Sequence, residues 1–386
     1  MESYALGKAL VQQAQEKSGA VVPADVAVVF ASSNQNYTQL MKGMRELARD
    51  IPIIGCSTAG EFTEEGYSTD GAVCAFIRSM THRFSLGIGQ HVKENPEEAL
   101  KQAIAQLDTT RTSEFPYRVA LMFVDGLAGC GDDLVSMTAR ALGSDVKLAG
   151  GAAGDNLAFR ATHILHNGQA YRNSIGICMI HSKAPVRPAA THGHFPIGDV
   201  MTITKAQPRR VYEIDGQNAW KIWLDASRER REESGFTDEA LKSQEWQSRF
   251  FPCFEMGLLT KQGGYKLRGI MTAYPDGSLG FYSDVSEGDQ FRIMYSDKEA
   301  QLNALERAAN LAMAHKTKNL AGALIFDCVV RSSILGDEFY PSIQSFHHAF
   351  RGIPFIGFET YGEICLPSLF FEGFLNTTSV VVIFPD

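Results

Sequence analysis

A segment of twelve residues near the N-terminus recurs near the C-terminus, and this repeat constrains the fold more than any other feature of the sequence. Residues 51–62 are IPIIGCSTAGEF, and residues 353–364 are IPFIGFETYGEI. Seven of the twelve positions are identical. A match of this kind within one chain is typical of a duplicated structural unit.

The residues before each copy also correspond. A strand and then a helix are predicted before each copy, and a weaker third copy, at 146–156, follows the same pair of elements. The predicted unit is therefore strand, helix, strand, glycine turn and strand. The predicted pairs of strand and helix are 26–30 with 37–49, 119–124 with 132–142, and 323–326 with 338–350.

A further helix is predicted before each unit, so helices and strands alternate along most of the chain. Such alternation predicts an α/β fold. The later strands of the units resemble hairpins, which makes mixed sheets flanked by helices the expected arrangement. The predicted leading helices are 2–17, 96–107 and 298–315, and the predicted hairpins are 72–77 with 84–88 and 161–165 with 171–180.

A chain of 386 residues exceeds one ordinary core, so two domains are expected, at 1–207 and 208–386. The middle differs from the repeats: strands are predicted at 200–204 and 211–214, followed by a charged helix. We interpret the charged run at 228–233 as a solvated helix face. The boundary is placed near Pro208.

Composition excludes several classes of function. A net charge of −8 disfavours nucleic-acid binding. The longest apolar runs have strand length, so no membrane span is expected. No secretory signal is visible at the N-terminus, and the seven cysteines lie singly, as reduced thiols do. We therefore expect a cytoplasmic protein.

Several motifs resemble the FIST family of bacterial sensory proteins, which consist of an N-terminal and a C-terminal FIST half. The order and spacing of the motifs carry the resemblance over more than 300 residues. The matching segments are 54–61, 193–198 and 203–206 in the first half, and 214–216, 326–328, 361–363 and 376–378 in the second.

The resemblance implies a stand-alone sensor that binds a small ligand and acts on a partner in trans. Chains of this length look like the haem-binding, nitric-oxide-sensing NosP type. That similarity implies haem b as cofactor, and a histidine kinase, diguanylate cyclase or phosphodiesterase as partner. Homo-oligomerisation is left open.

If haem is bound, the segment 191–194 is the expected place, since imidazole is a common iron ligand. In an extended chain His192 and His194 lie on one face, and Gly193 allows a planar ligand to approach. Either histidine is the candidate axial ligand, and Pro196 is grouped with them. The alternative is that both are strand histidines that bind no ligand.

The glycine turns form a second candidate site, for an amino acid or another small metabolite. Each turn places an acidic side chain beside flexible backbone with free amides, which suits an ammonium and a carboxylate group together. The alternative is a repeated tight turn without a ligand. The candidate residues are Thr58, Gly60, Glu61, Thr360, Gly362 and Glu363.

An enzymatic function is not expected. Cys328 follows a predicted strand and precedes Asp337 and Glu338, but a single cysteine of this kind is more often buried than nucleophilic. The sequence contains no HExxH, GxSxG or Walker A pattern.

Overall fold

The computed structural model describes residues 2–19, 24–313, 320–349, 352–366 and 373–386. The predicted α/β fold with mixed sheets flanked by helices is confirmed. The predicted C-terminal residues of two helices, His315 and Phe350, lie outside the described residues.

Three units follow one another with the same order of elements, as the repeat predicts. The first unit contains α1 (Ser3–Ser18), β1 (Val26–Ser32), α2 (Tyr37–Leu47), β2 (Ile53–Thr58), β3 (Glu61–Thr63), β4 (Tyr67–Ser68), β5 (Ala72–Ile77) and β6 (His82–Gln90). The second contains α3 (Pro96–Ile104), β7 (Tyr117–Val124), α4 (Gly131–Leu142), β8 (Val146–Ala152), β9 (Ile164–His166), β10 (Gln169–Tyr171), β11 (Ser174–Ser182) and β12 (Arg187–His192).

An inserted module separates the second unit from the third. It contains β13 (Phe195–Gln207), β14 (Arg210–Ile214), β15 (Gln217–Asn218), α5 (Ala219–Glu233), α6 (Gln244–Phe250), β16 (Phe254–Leu259), β17 (Tyr265–Arg268), β18 (Ile270–Ala273), β19 (Leu279–Phe281) and β20 (Gln290–Tyr295). The third unit contains α7 (Lys298–Met313), β21 (Leu320–Cys328), α8 (Val329–Leu335), α9 (Phe339–Ala349), β22 (Phe355–Thr360), β23 (Glu363–Leu366), β24 (Gly373–Leu375) and β25 (Thr378–Pro385).

Each unit has its own sheet, built on a parallel pair of strands with an antiparallel strand beside it. The units then exchange strands, so that the short hairpin after each glycine turn joins the sheet of another unit. The first sheet has the order β10-β9-β2-β1-β5, the second β24-β23-β8-β7-β11-β6, and the third β12-β25-β21-β22-β3-β4. We call this closed arrangement of three sheets the ring.

The centre of the ring is an aromatic cluster with approximate three-fold symmetry. Phe30, Phe123 and Phe326 occupy the same position in the central strand of each unit, and all three are fully buried. Their ring centroids lie 5.9, 6.1 and 6.2 Å apart. One shared core therefore holds the three units together.

Local sequence explains the elements. The central strands are continuous apolar runs because helices cover one face of each sheet and the shared core covers the other. Asn36 and Asn95 cap α2 and α3 by accepting hydrogen bonds from the backbone amides of Gln39 and Glu98. Pro96 occupies the first turn of α3, where no intrahelical donor is needed.

Strand exchange overturns one predicted hairpin. β5 pairs with β1 in the first sheet, whereas β6 pairs with β11 in the second, so these two strands do not pair with each other. A hairpin around Asn167-Gly168 is present, but it is formed by β9 and β10; most of the predicted second strand, 171–180, is β11, which pairs with β6 and β7. Sequence patterns identified the strands here but not their partners, because alternation does not specify which sheet a strand joins.

The buried clusters group the residues differently from the halves 1–207 and 208–386. The boundary at 207/208 falls in the turn between β13 and β14, which pair with each other. The module has a core of its own, drawn from residues 201–295. The charged run 228–233 is not wholly the solvated helix face that its sequence predicts. Arg231 is fully buried and donates a hydrogen bond to the Phe236 carbonyl oxygen.

Candidate ligand-binding cleft

The two histidines proposed as haem ligands lie where the chain leaves the ring and enters the module. Their rings are 6.4 Å apart between centroids. His194 is buried, and His192 is half-buried. Burial lowers the pKa of His192 to about 4 and that of His194 to about 3, so both imidazoles are neutral at physiological pH.

All four ring nitrogens of this pair are engaged with protein atoms. Nε2 of His194 donates to the Pro252 carbonyl oxygen at 3.0 Å, and its Nδ1 accepts from Gln301 Nε2 at 3.3 Å. Nε2 of His192 lies 3.2 Å from the Tyr265 carbonyl oxygen, and its Nδ1 accepts from the His194 amide. A neutral imidazole has one donor and one acceptor, so neither ring retains a lone pair for iron.

The space beside these histidines is also occupied. A Cβ atom on Gly193 would lie 2.7 Å from the backbone of Gln301, because α7 packs directly against this glycine. Pro196 lies in β13 opposite Met294 of β20. These residues join the ring to the module, and as they stand they do not fit a haem group.

The Thr-x-Gly-Glu turns have the same internal structure in both copies. Thr58 Oγ1 donates to Glu61 at 2.6 Å, and Thr360 Oγ1 donates to Glu363 in the same way. The second oxygen of each carboxyl group accepts a backbone amide, from Gly71 and from Thr378 respectively. All four of these side chains are buried.

The glycines of these turns are packed against protein atoms. A Cβ atom on Gly60 would lie 2.2 Å from Oε2 of Glu359, and one on Gly362 would lie 2.3 Å from the ring of Phe374. Gly362 also has a φ of 154°, which L residues rarely adopt. The turns therefore pass a strand from one sheet to the next and leave no open cradle at the glycines.

A cleft of about 710 Å³ lies between the ring and the module. On the ring side it begins where the central strands β7 and β21 end, at Val124 and Cys328. Ligands of α/β proteins commonly bind at the carboxyl ends of such strands. On the module side it is bounded by the β13–β14 turn and by strands β18 and β19.

Apolar and aromatic side chains are unusually exposed in this cleft. Leu157 and Phe159 from the ring, and Met271 and Tyr282 from the module, line it with about half of each side chain accessible. Exposed apolar groups that converge on one concave surface are typical of a binding site. Polar groups of Ser283, Asn376 and Thr377 complete the walls.

A strained loop forms one edge of the cleft. Asn156, Leu157 and Phe159 all have positive φ values, between 50° and 59°, although none is glycine. Tyr361 holds this loop in place: its hydroxyl donates to Asp155 and accepts from the Leu157 amide, and its ring stacks on Phe159. Strain of this kind concentrates at functional sites.

Ion pairs and hydrogen bonds connect the two walls of the cleft. Arg268 of the module binds Asp132 of the ring at 3.0 Å, and Lys266 binds the same carboxylate at 2.8 Å. The Asn376 side chain accepts hydrogen bonds from the Gly269 amide and the Ser283 hydroxyl. These polar contacts join the ring to the module at the cleft.

Cys328 lies at the floor of the cleft, and Glu255 lies behind the wall residue Thr377, to which it is hydrogen-bonded. Glu255 is 1% exposed; its Oε1 accepts from Thr377, and its Oε2 has no hydrogen-bond partner among the described residues. Burial raises the pKa of Glu255 to about 8. Burial also raises the pKa of Cys328 well above its usual range, so this cysteine is a thiol rather than a nucleophilic thiolate.

Sequence reasoning missed most of this cleft. Its walls come from segments more than 100 residues apart, and single exposed aromatic residues such as Tyr282 carry no local pattern. The nearest available signal was the middle glycine turn, 150–156, whose last residue begins the strained loop. Cys328 was noticed, but as a possible nucleophile rather than as part of the floor of a binding cleft.

Comparison with known families agrees with the repeated architecture. The family model described as the FIST N domain matches residues 25–217, and the model described as the FIST C domain matches residues 235–366. The chain belongs to the FIST family. FIST proteins are sensors in signal transduction, and this chain is accordingly assigned to that broad class.

One curated relative of this FIST protein is an uncharacterized protein of the archaeon Methanocaldococcus jannaschii. It is 20% identical over 291 residues, which cover 72% of this chain. The matched region is 56% of the relative, so the chain spans about half the length of that protein.

Two properties of the described residues bear on other classes of site. No helix within them is both long and apolar enough to cross a membrane. Over the same part of the chain, no group of three or more His, Cys, Asp and Glu side chains is placed to hold a metal ion.

Proposed function

We propose that this FIST protein senses a small organic metabolite that binds in the cleft between the ring and the module. The observation that carries this proposal is the convergence of half-exposed Leu157, Phe159, Met271 and Tyr282 on one cavity of about 710 Å³. Cavities of this size hold typical small ligands and cofactors.

The walls suggest the chemistry of the ligand. One part is apolar and aromatic, and the other presents the hydroxyl and amide groups of Ser283, Asn376 and Thr377. An amino acid or a metabolite of similar size, with an apolar portion and at least one hydrogen-bonding group, matches both parts. We therefore propose the cleft, and not the glycine turns, as the metabolite site, because the Thr and Glu side chains of each turn are hydrogen-bonded to each other.

Binding would alter the relation between ring and module, because both contribute walls. A chain of buried contacts leads away from the cleft. α8 begins at its floor, and Arg331 on this helix binds Asp327 and Gln301. Gln301 in turn contacts His194 at the junction with the module. In this proposal, His192 and His194 connect the ring to the module and do not bind the ligand.

The output of the sensor would pass to a separate protein. As the resemblance implies, a histidine kinase or an enzyme of cyclic-di-GMP metabolism is the expected partner in trans. Haem and nitric oxide remain the competing ligand proposal, and it requires one of the two histidines to give up a hydrogen bond with the protein.

A thermal-shift screen tests the cleft. Amino acids and metabolites of similar size are added to purified protein, and a ligand at 100 times its dissociation constant should stabilise the fold by about 2.7 kcal/mol. Met271→Ala removes an apolar wall and should weaken binding roughly tenfold. Met80→Ala is the matched control, since Met80 is 86% exposed and does not line the cleft.

Two outcomes would count against the cleft: no compound raises the melting temperature, or Met271→Ala and Met80→Ala bind the ligand equally well. An absorption spectrum recorded after haem reconstitution tests the competing haem proposal. A Soret band that disappears when His192 and His194 are both changed to alanine would favour the haem proposal instead.

A further inference from the structure

The three-fold repeat of the ring is incomplete in one place. In the second sheet, β6 pairs with the outer side of β11, and in the third sheet, β12 pairs with the outer side of β25. The corresponding strand of the first sheet is β5, and no strand of the described residues pairs with its outer side. The position beside β5 is called the strand slot below.

Burial differs between the equivalent strands. All nine residues of β11 and all eight of β25 are buried, whereas all six residues of β5 are only partly buried. The core nearby is also less well covered: Ile356 and Phe384 are 7% and 6% exposed, the largest values in the central cluster. The open edge of β5 therefore leaves a gap that reaches the core.

The strand slot has walls on both faces. Its volume is about 710 Å³, and α1 covers one face with Leu10 and Ala14. The opposite face contains Leu324, Ile356 and Phe384 of the third sheet and the core. In the other two units the equivalent helices, α3 and α7, pack on β6 and β12. The slot thus has the same helix above it but lacks the strand.

The backbone of β5 is ready to pair. The carbonyl oxygens of Gly71 and Ile77 accept hydrogen bonds from Ser32 and Asp25, so they face the β1 side. In an antiparallel ladder, successive residues point alternately to one neighbour and to the other. The N–H and C=O groups of Ala72, Cys74 and Phe76 therefore point into the slot.

We propose that the strand slot binds an extended segment of a partner polypeptide, which adds to the first sheet as a strand antiparallel to β5. The ring itself contains this interaction twice, since β6 and β12 run antiparallel to the strands they cover. Edge strands with unpaired backbone groups are the usual acceptors of such added strands. This inference is independent of the ligand in the cleft.

The slot favours a single extended segment over a second copy of the chain. Residues of α1 and of the third sheet flank β5 on either side, which leaves room for a single strand but hinders edge-to-edge pairing of the β5 strands of two copies. The side chains expected on the partner follow from β6, where Phe84, Leu86 and Ile88 alternate and pack on the core. An incoming strand should likewise carry apolar residues at every second position.

A synthetic peptide with the sequence of residues 82–90 tests the slot, because it copies the strand that fills the equivalent position. Fluorescence anisotropy of the labelled peptide should show saturable binding to the full chain. Hydrogen exchange of the chain should then slow at Cys74 and Phe76, whose amides become paired. A peptide with the same residues in an order that breaks the alternation should not bind.

Two variants separate binding from stability. Cys74→Pro removes an outward-pointing amide without disturbing the ladder to β1, and it should weaken peptide binding roughly tenfold, whereas Cys74→Ala should not. Ala14→Glu places a charge in the slot and tests it without changing β5. Equal binding by all variants, exchange unchanged at β5, or association of the chain with itself in place of peptide binding would overturn the proposal.

Discussion

Four buried glutamates have raised pKa values, and burial is the main cause in each case. The pKa is raised to about 7 for Glu61 and Glu359, to about 8 for Glu255, and well above the usual range for Glu363. Each residue is at most 1% exposed. The folded protein therefore holds protons that the unfolded chain releases at lower pH.

This difference determines how stability depends on pH. Because the folded state binds more protons than the unfolded state, the contribution of these groups to the free energy of unfolding is fully present below the unfolded pKa of 4.5. It is lost as the pH rises through their folded pKa values of about 7 to 8. Other titrating groups add their own contributions, so a variant is needed to isolate one glutamate.

Glu255→Gln should make the free energy of unfolding less dependent on pH between 5 and 8. Glutamine is always neutral, and its carbonyl oxygen can still accept the hydrogen bond from Thr377. The effect should be on the order of 4 kcal/mol over the whole range. Denaturant unfolding of both proteins at several pH values measures it, and parallel curves would contradict the raised pKa of Glu255.

At the scale of elements, the glycine turns explain how the units exchange strands. Each Thr-x-Gly-Glu turn ends one strand and starts another that belongs to a different sheet, β2 to β3 and β22 to β23. The Thr–Glu hydrogen bond satisfies two buried side chains at the point where the chain changes sheet. The repeated motif is therefore conserved within this chain by its structural role.

Gly60→Ala should destabilise the protein by about 1–3 kcal/mol, because the added methyl group would meet the Glu359 carboxyl group and the ring of Tyr67. Gly66→Ala is the matched control: it lies in the following hairpin, where a Cβ atom would meet nothing within 4 Å. Chemical denaturation compares the two. Equal stability of the two variants would contradict the close packing at Gly60.

At the scale of the whole molecule, the two family halves depend on each other. β3 of the first half pairs with β22 of the second, and β8 pairs with β23. The central cluster likewise requires Phe326 beside Phe30 and Phe123. The module differs, because its core is drawn from within residues 201–295.

Residues 1–207 expressed alone should therefore show no cooperative unfolding transition, since β3 loses its pairing with β22, β8 loses its pairing with β23, and the central cluster loses Phe326. Residues 195–297 expressed alone should unfold cooperatively. Thermal unfolding followed by circular dichroism, with the full chain as control, compares them. A sharp transition for 1–207 would show that the first half has a sufficient core without the second.

The sequence by itself determined the order of the main strands and helices in the three units and their repetition, but not α6 and strands β16–β20 of the module. This was possible because apolar periodicity, capping residues such as Asn95 and Pro96, and the duplicated turn are local patterns. The sequence also drew attention to His192 and His194, at the junction of ring and module, because imidazole is a common metal ligand. Local patterns do not contain the identity of a spatial neighbour, however.

Only the tertiary structure decided which sheet each strand joins. It also decided that Gln301 and Pro252 hydrogen-bond to the ring nitrogens of His194, and that Tyr282 and Phe159 line the same cleft. The physical reason is the same in each case. Strand pairing, hydrogen-bond partners and cavity walls depend on residues roughly 50 to more than 100 positions apart, which meet only when the three sheets close around one core. The strand slot beside β5 is likewise visible only when the three sheets are compared.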